Sequence, residues 1–170
     1  MGVEIIGYAV GGAIVVYGVS KLLKKKKESK NIVYPHIPVV YETGSRRQRI
    51  LKALKAEQKR SFDTVIKADE TATMWAESRA IQMDIADKIS HNGAGKIFIM
   101  GTEKGADGMG EIIGYAFSSG KNTVYGWMNS DGHRKAIMNI KYDYVGIACI
   151  QDEHGHWIDV VIFVNEKTVK

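Results

Sequence analysis

The stretch G-W-M-N-S-D-G-H-R-K-A-I-M-N, from Gly126 to Asn139, sets an aromatic residue, a polar turn and an imidazole side by side. Asn129, Ser130, Asp131 and Gly132 form the turn. Asp131 stands where a helix N-cap accepts backbone N–H groups, and Ala136, Ile137 and Met138 carry a short helix inward. His133 then falls in the first turn of that helix, between Trp127 and Ile137. Two upstream residues can meet it. His91 closes a long helix in I-S-H-N-G, and Glu111 opens a strand-like run in M-G-E-I-I-G-Y-A-F. Two imidazoles and a carboxylate, each at the end of a regular element, suit a metal site or an acid–base site. Neither H-E-x-x-H nor C-x-x-C is present, so spacing alone favours two capping or packing histidines.

Downstream of this stretch lies the clearest β signal. Tyr144 to Ile150 and Trp157 to Val164 are β-branched and aromatic runs joined by a turn from Gln151 to His156, which predicts an antiparallel hairpin. Upstream, Ser45-Arg46-Arg47-Gln48 reads as a capping box, with Ile50, Leu51 and Leu54 as the apolar stripe of a first helix. A second helix begins near Asp69 and Glu70. Met74, Ile81, Ile85 and Ile89 recur at helical spacing, widened by Ala72, Trp75, Ala76, Ala80 and Ala86. It is expected to end at His91-Asn92-Gly93, with Gly93 left-handed. Lys96 to Met100 and Glu111 to Phe117 read as strands, separated by a glycine-rich loop from Gly101 to Gly110. Asn122 is placed as the cap of a short helix carrying Val124, Trp127 and Met128. Helices first and strands last give an α+β fold, an αβα sandwich around an antiparallel sheet.

The N-terminus differs in kind. Ile5 to Ser20 carries no charge, Leu22 and Leu23 follow Lys21, and Lys24 to Lys27 form a basic run. This reads as one transmembrane helix over residues 1–23, followed by a basic, extended linker over 24–44 with Pro35 and Pro38, and a domain over 45–170. The lysine cluster would engage anionic lipid headgroups, and the positive-inside rule then faces the domain to the cytoplasm. Gly7-x-x-x-Gly11 is a small-residue pattern through which such helices pair into homo-oligomers. The chain's net charge of +5 is concentrated here: residues 1–30 hold six lysines against Glu4 and Glu28. The remainder is nearly balanced, which argues against a nucleic-acid-binding domain. The single cysteine, Cys149, sits in an apolar run, so no disulfide forms within the chain.

Three other motifs dissolve on inspection. Gly114 to Asn122 follows a strand and precedes a helix, but five residues separate its glycines and no Ser or Thr follows Lys121, so it is a turn rather than a phosphate loop. Ser130 lies too close in sequence to Asp131 and His133 for triad geometry. His154-Gly155-His156 is an exposed pair in a hairpin loop, able at most to bind metal weakly.

Taken in order, I-S-H-N-G, then G-E-I-I, then W-M-N-S-D-G-H-R-K-A-I-M-N, then V-G-I-A and a terminal apolar strand resemble the CAP superfamily, also called the SCP-like family, in its bacterial branch. The similarity runs from about Ser45 to Val164. It implies an αβα sandwich with an open cleft, in which two histidines and two acidic residues can bind a divalent metal such as zinc. His91, Glu111 and His133 match three of those positions, with His91 and His133 as the metal ligands, and Asp131 is the nearest carboxylate to the fourth. Ile112 stands where the family has asparagine. The family is mostly secreted or periplasmic, which points to an extracytoplasmic domain, opposite to the lysine cluster. The resulting expectation is a membrane-anchored CAP-like binding module whose cleft takes an unidentified ligand or protein. A zinc-assisted, peptidase-like hydrolase with Glu111 as base is the first alternative. A structural membrane or virion protein with a vestigial cleft is the second.

Overall fold

A computed structural model describes residues 5–10, 13–18, 43–62 and 66–166. The chain divides into two compact units, Met1–Ile37 and Pro38–Lys170.

In the first unit β1 (Ile5–Val10) and β2 (Ala13–Gly18) pair antiparallel, with Val10 opposite Ala13. The transmembrane helix expected over residues 1–23 is therefore replaced, over the described residues, by two strands. The physical reason is legible afterwards: Ile5, Ile6, Val10, Ile14, Val15 and Val16 are β-branched, and Gly11-Gly12 between the two runs is a hairpin signal. No helix among the described residues is long and apolar enough to cross a membrane. The linker expected over 24–44 lies outside the described residues as far as residue 42.

The second unit runs α1 (Thr43–Lys59), β3 (Lys67–Ala68), α2 (Glu70–Ile85), α3 (Ala94–Glu103), β4 (Ala106–Tyr115), α4 (Gly120–Met128), α5 (Asp131–Ile137), β5 (Tyr144–Gln151) and β6 (Trp157–Glu166). The sheet order is β3-β5-β6-β4, so β4 is an edge strand. β6 pairs antiparallel with both neighbours, as the terminal hairpin predicts. The short β3 lies parallel to β5, so the sheet is mixed rather than wholly antiparallel. Among the described residues the result is an α+β fold of five helices on a four-stranded sheet.

Alternation along the central strand sorts the core into two layers. Ile158, Val160 and Ile162 join Ala72, Trp75, Ala76, Ala80 and Met83 of α2 and Ile97 of α3. Val161 and Phe163 join Ile50 and Leu54 of α1, Val124 and Trp127 of α4, and Ile137 of α5. Asp159 belongs to this second face and is completely buried. Its carboxylate accepts from Arg46 Nε at 2.8 Å, Arg46 Nη2 at 2.6 Å and the Thr123 hydroxyl at 2.7 Å. Arg46 also lies 4.6 Å over the Trp157 ring. One bidentate ion pair thus ties α1 and α4 to the central strand, and burial beside Asp159 pushes the Cys149 thiol well above its usual range.

Several local expectations change. Lys96 to Met100 forms part of α3 rather than a strand, because Ala94, Ile97 and Gly101 recur at helical spacing against α2. The glycine-rich stretch Gly101 to Gly110 supplies the end of α3 and the start of β4. Helix α1 opens at Thr43, before Ser45, and the cap of α4 is Ser119, whose hydroxyl accepts from Asn122 N–H. Helix α2 stops at Ile85, six residues before His91. Of the expected isoleucine stripe, Met74 and Ile85 are exposed, as is Ile89 beyond the helix end, while Ile81 packs partly against the core. The alanine face is buried instead because α2 lies directly on β5: a Cβ added at Gly146 would overlap the main chain of Ala72 and Thr73.

Candidate cleft built on the free edge of β4

Glu111 sits in the middle of β4, opposite Ile162, rather than at the start of a strand. Alternation places its side chain on the α2–α3 side of the sheet, where Ile113 is also found. Helix α2 presents Arg79 from the same buried face as Ala76, Ala80 and Met83. Arg79 Nε donates to Glu111 Oε2 at 2.6 Å and Nη2 to Oε1 at 3.3 Å. The two side chains are 1% and 2% exposed. Two further guanidinium hydrogens are placed, from Nη1 on Gln82 Oε1 at 3.0 Å and from Nη2 on the Ser90 carbonyl at 2.7 Å. Ser90 precedes His91, so Arg79 fixes both the carboxylate and the loop that carries the imidazole.

That loop turns at Gly93, whose φ of 100° is the left-handed value expected for it. His91 lies in the connection between α2 and α3 rather than on a helix end. Its Nδ1 is 2.9 Å from Glu111 Oε1, and its side chain is 59% exposed. A carboxylate only accepts, so Nδ1 carries the hydrogen, and in the neutral ring Nε2 is then the acceptor.

His133 approaches from the other layer. It lies in the first turn of α5, as expected, although Ser130 rather than Asp131 is the N-cap. Burial and, to a smaller extent, the charge on His91 lower its pKa below the ordinary imidazole value. The structure thus brings His91 and Glu111 into direct contact and sets His133 within electrostatic reach. Asp131 is not brought in. It is 79% exposed and paired with Arg134 three residues on.

The zinc expectation can be tested on the donor set. Both Glu111 oxygens are engaged by Arg79 and His91, and a guanidinium against a carboxylate opposes a dication there. Among the described residues no group of three or more His, Cys, Asp or Glu side chains is placed to hold a metal ion. Glu111 is thus not a free third donor beside His91 and His133, the two expected ligands.

Arg79 is the functional residue that spacing arguments pass over. Its signal lies in the run Ala72, Ala76, Arg79, Ala80, Met83, where an arginine occupies the small-residue face that a helix turns to a sheet. A buried arginine requires a carboxylate, and Glu111 is that partner.

Five helices on a mixed four-stranded sheet make an α+β fold of the SCP-like type. The model of the cysteine-rich secretory protein family, CAP, matches residues 64–164, and the chain belongs to that family. Over 38 residues it is 47% identical to an uncharacterised membrane protein, YlbC, of Bacillus subtilis, a match covering 22% of this chain and 11% of that protein. Among solved structures, an outer surface protein of Borrelia burgdorferi has a TM-score of 0.66 at 21% identity, covering 72% of this chain and 94% of the other. An extracellular SCP-domain protein of Bacillus anthracis gives 0.64 at 21% identity, over 73% of this chain and 41% of its own. A cysteine-rich secretory protein of Staphylococcus aureus gives 0.63 at 17%, over 75% and 40%. At these identities the likeness establishes the fold.

Proposed function

We infer that the domain is a binding module for a small hydroxyl- or amide-bearing ligand, held at a membrane by the N-terminal segment. The observation that carries this reading is the Arg79–Glu111–His91 chain. It holds one exposed imidazole by its Nδ1, so that in the neutral ring Nε2 is the acceptor a ligand O–H or N–H would meet. His133, with its lowered pKa, is neutral at pH 7 and adds a second polar contact without adding charge. The Glu111 carboxylate is engaged on both oxygens, so orientation and recognition suit the site better than a zinc-assisted reaction with Glu111 as base.

Histidine-selective NMR of the full chain in detergent micelles, titrated with simple polyols and amides, tests it. His91 and His133 resonances are expected to move together on binding, and His91→Ala should abolish the response. Zinc calorimetry on the same sample separates the alternatives. Tight one-site binding lost in both His91→Ala and His133→Ala would overturn the reading and restore a metal centre.

Support for the tether comes from the uncharged run Ile5 to Ser20, the lysines after it, and the name of the Bacillus subtilis relative. Retention of the chain in membranes through carbonate extraction is expected. Release into the soluble fraction would overturn this part alone.

A further inference from the structure

The modest charge of the whole chain conceals a strong separation within the domain. Residues 43–60, helix α1 and its last neighbour, hold seven arginines and lysines against Glu57 alone, whereas residues 61–170 hold eleven against fifteen carboxylates. The near-balance beyond residue 30 is thus a cancellation between one basic helix and an acidic remainder. Three of the arginines are matched by carboxylates in the fold: Arg46 by Asp159, Arg47 by Glu77 at 3.7 Å, and Arg60 by Glu57. Lys52, Lys55 and Lys59 take part in no salt bridge among the described residues. They fall at i, i+3 and i+7, one stripe on the side of α1 opposite the buried Ile50 and Leu54.

We propose that this lysine stripe docks the domain on an anionic lipid surface, so that α1 lies along the membrane. The geometry rests on the tether reading. Only twelve residues separate Lys30 from Thr43, a reach of at most about 45 Å, so a domain tethered through the Lys24–Lys27 segment would be held within that distance of the headgroups. Lysine suits this partner, since its ammonium is a point charge on a flexible stem that follows mobile phosphates. Residues 43–60 contain no aromatic side chain, so the stacking that strengthens single-stranded nucleic-acid binding is missing. Each lysine brought to an anionic surface is worth roughly five-fold in partition, and three together on the order of 100-fold.

The full chain is reconstituted into vesicles of phosphatidylcholine alone or with a quarter phosphatidylserine, both carrying nitroxide headgroups. A fluorescent probe is placed by Ala56→Cys on the stripe or by Ile99→Cys on α3 in the opposite layer, while Cys149 is buried and stays unlabelled. The Ala56 probe is expected to be quenched in the anionic vesicles only. Lys52→Gln/Lys55→Gln/Lys59→Gln, or 0.5 M salt, should return it to the neutral-lipid level. Equal quenching in both lipids, no effect of the triple variant, or equal quenching of the Ile99 probe would overturn the proposal. So would a response to a short RNA without one to phosphatidylserine. A chain that resists carbonate on neutral vesicles but shows an unquenched Ala56 probe keeps its tether and loses the docking. A chain washed from neutral vesicles yet quenched on anionic ones keeps the docking alone.

Discussion

At the scale of single residues, Arg79 decides whether the cleft exists. Replacing it by methionine keeps the volume but strands a buried carboxylate, and a broken buried pair costs about 3–5 kcal/mol. Arg79→Met is therefore expected to lower the urea midpoint sharply and to release His91, seen as loss of a protected Nδ1–H resonance. An intact resonance would mean that Glu111 holds the ring without help. His133 gives a second, pH-dependent test. Its folded pKa is lowered from 6.5, chiefly by burial, so the unfolded chain binds the proton more readily. Stability should then be full above about pH 6.5 and fall as the pH drops toward the lowered value. His133→Asn should flatten that slope in urea titrations between pH 7.5 and 5.

At the scale of elements, α2 packs on β5 with no room for a side chain at Gly146. Gly146→Ala would drive a Cβ into the main chain of Ala72, which cannot give way, and should cost about 3 kcal/mol or more. A Cβ at Gly101 meets the flexible Met109 side chain first, so Gly101→Ala should cost less than half as much by the same thermal melts. This close approach also explains how far the sequence could be read. The terminal hairpin, α4 and α5 were legible because β-branched runs and short apolar stripes act locally, although the caps are Ser119 and Ser130 rather than Asn122 and Asp131. Order and resemblance put His91, Glu111 and His133 forward as cleft candidates, and of these His91 and Glu111 are in direct contact. The buried side of α2 was not legible from its isoleucines, because the glycine that makes room for alanines lies far along the chain in β5. Lys96 to Met100 looked extended for the same kind of reason, since the partners that bury Ile97 lie on other elements, α2 and the sheet. The N-terminal run was read by its lack of charge, which does not distinguish a helix from β-branched strands about a Gly-Gly turn.

At the scale of the whole molecule, the buried Arg46–Asp159 pair makes the first helix inseparable from the central strand. Arg46→Met should destabilise the domain by about 3–5 kcal/mol, with little relief from salt, because the stranded Asp159 lies beyond the reach of screening ions. Double replacement by Arg46→Met and Asp159→Val should recover most of the loss in denaturant melts. The cleft depends on the same integrity. His91 belongs to the layer of α2 and α3, His133 to the layer of α1, α4 and α5, and the edge of β4 lies between them. A molecule that touches both imidazoles would act as a rivet through the sandwich, bound to the native state and absent from the unfolded one. By mass action its presence at about a hundred times its dissociation constant would add about 2.7 kcal/mol to stability. The melting temperature of the intact chain is thus itself a detector, able to pick the natural occupant out of a mixture before any reaction is known.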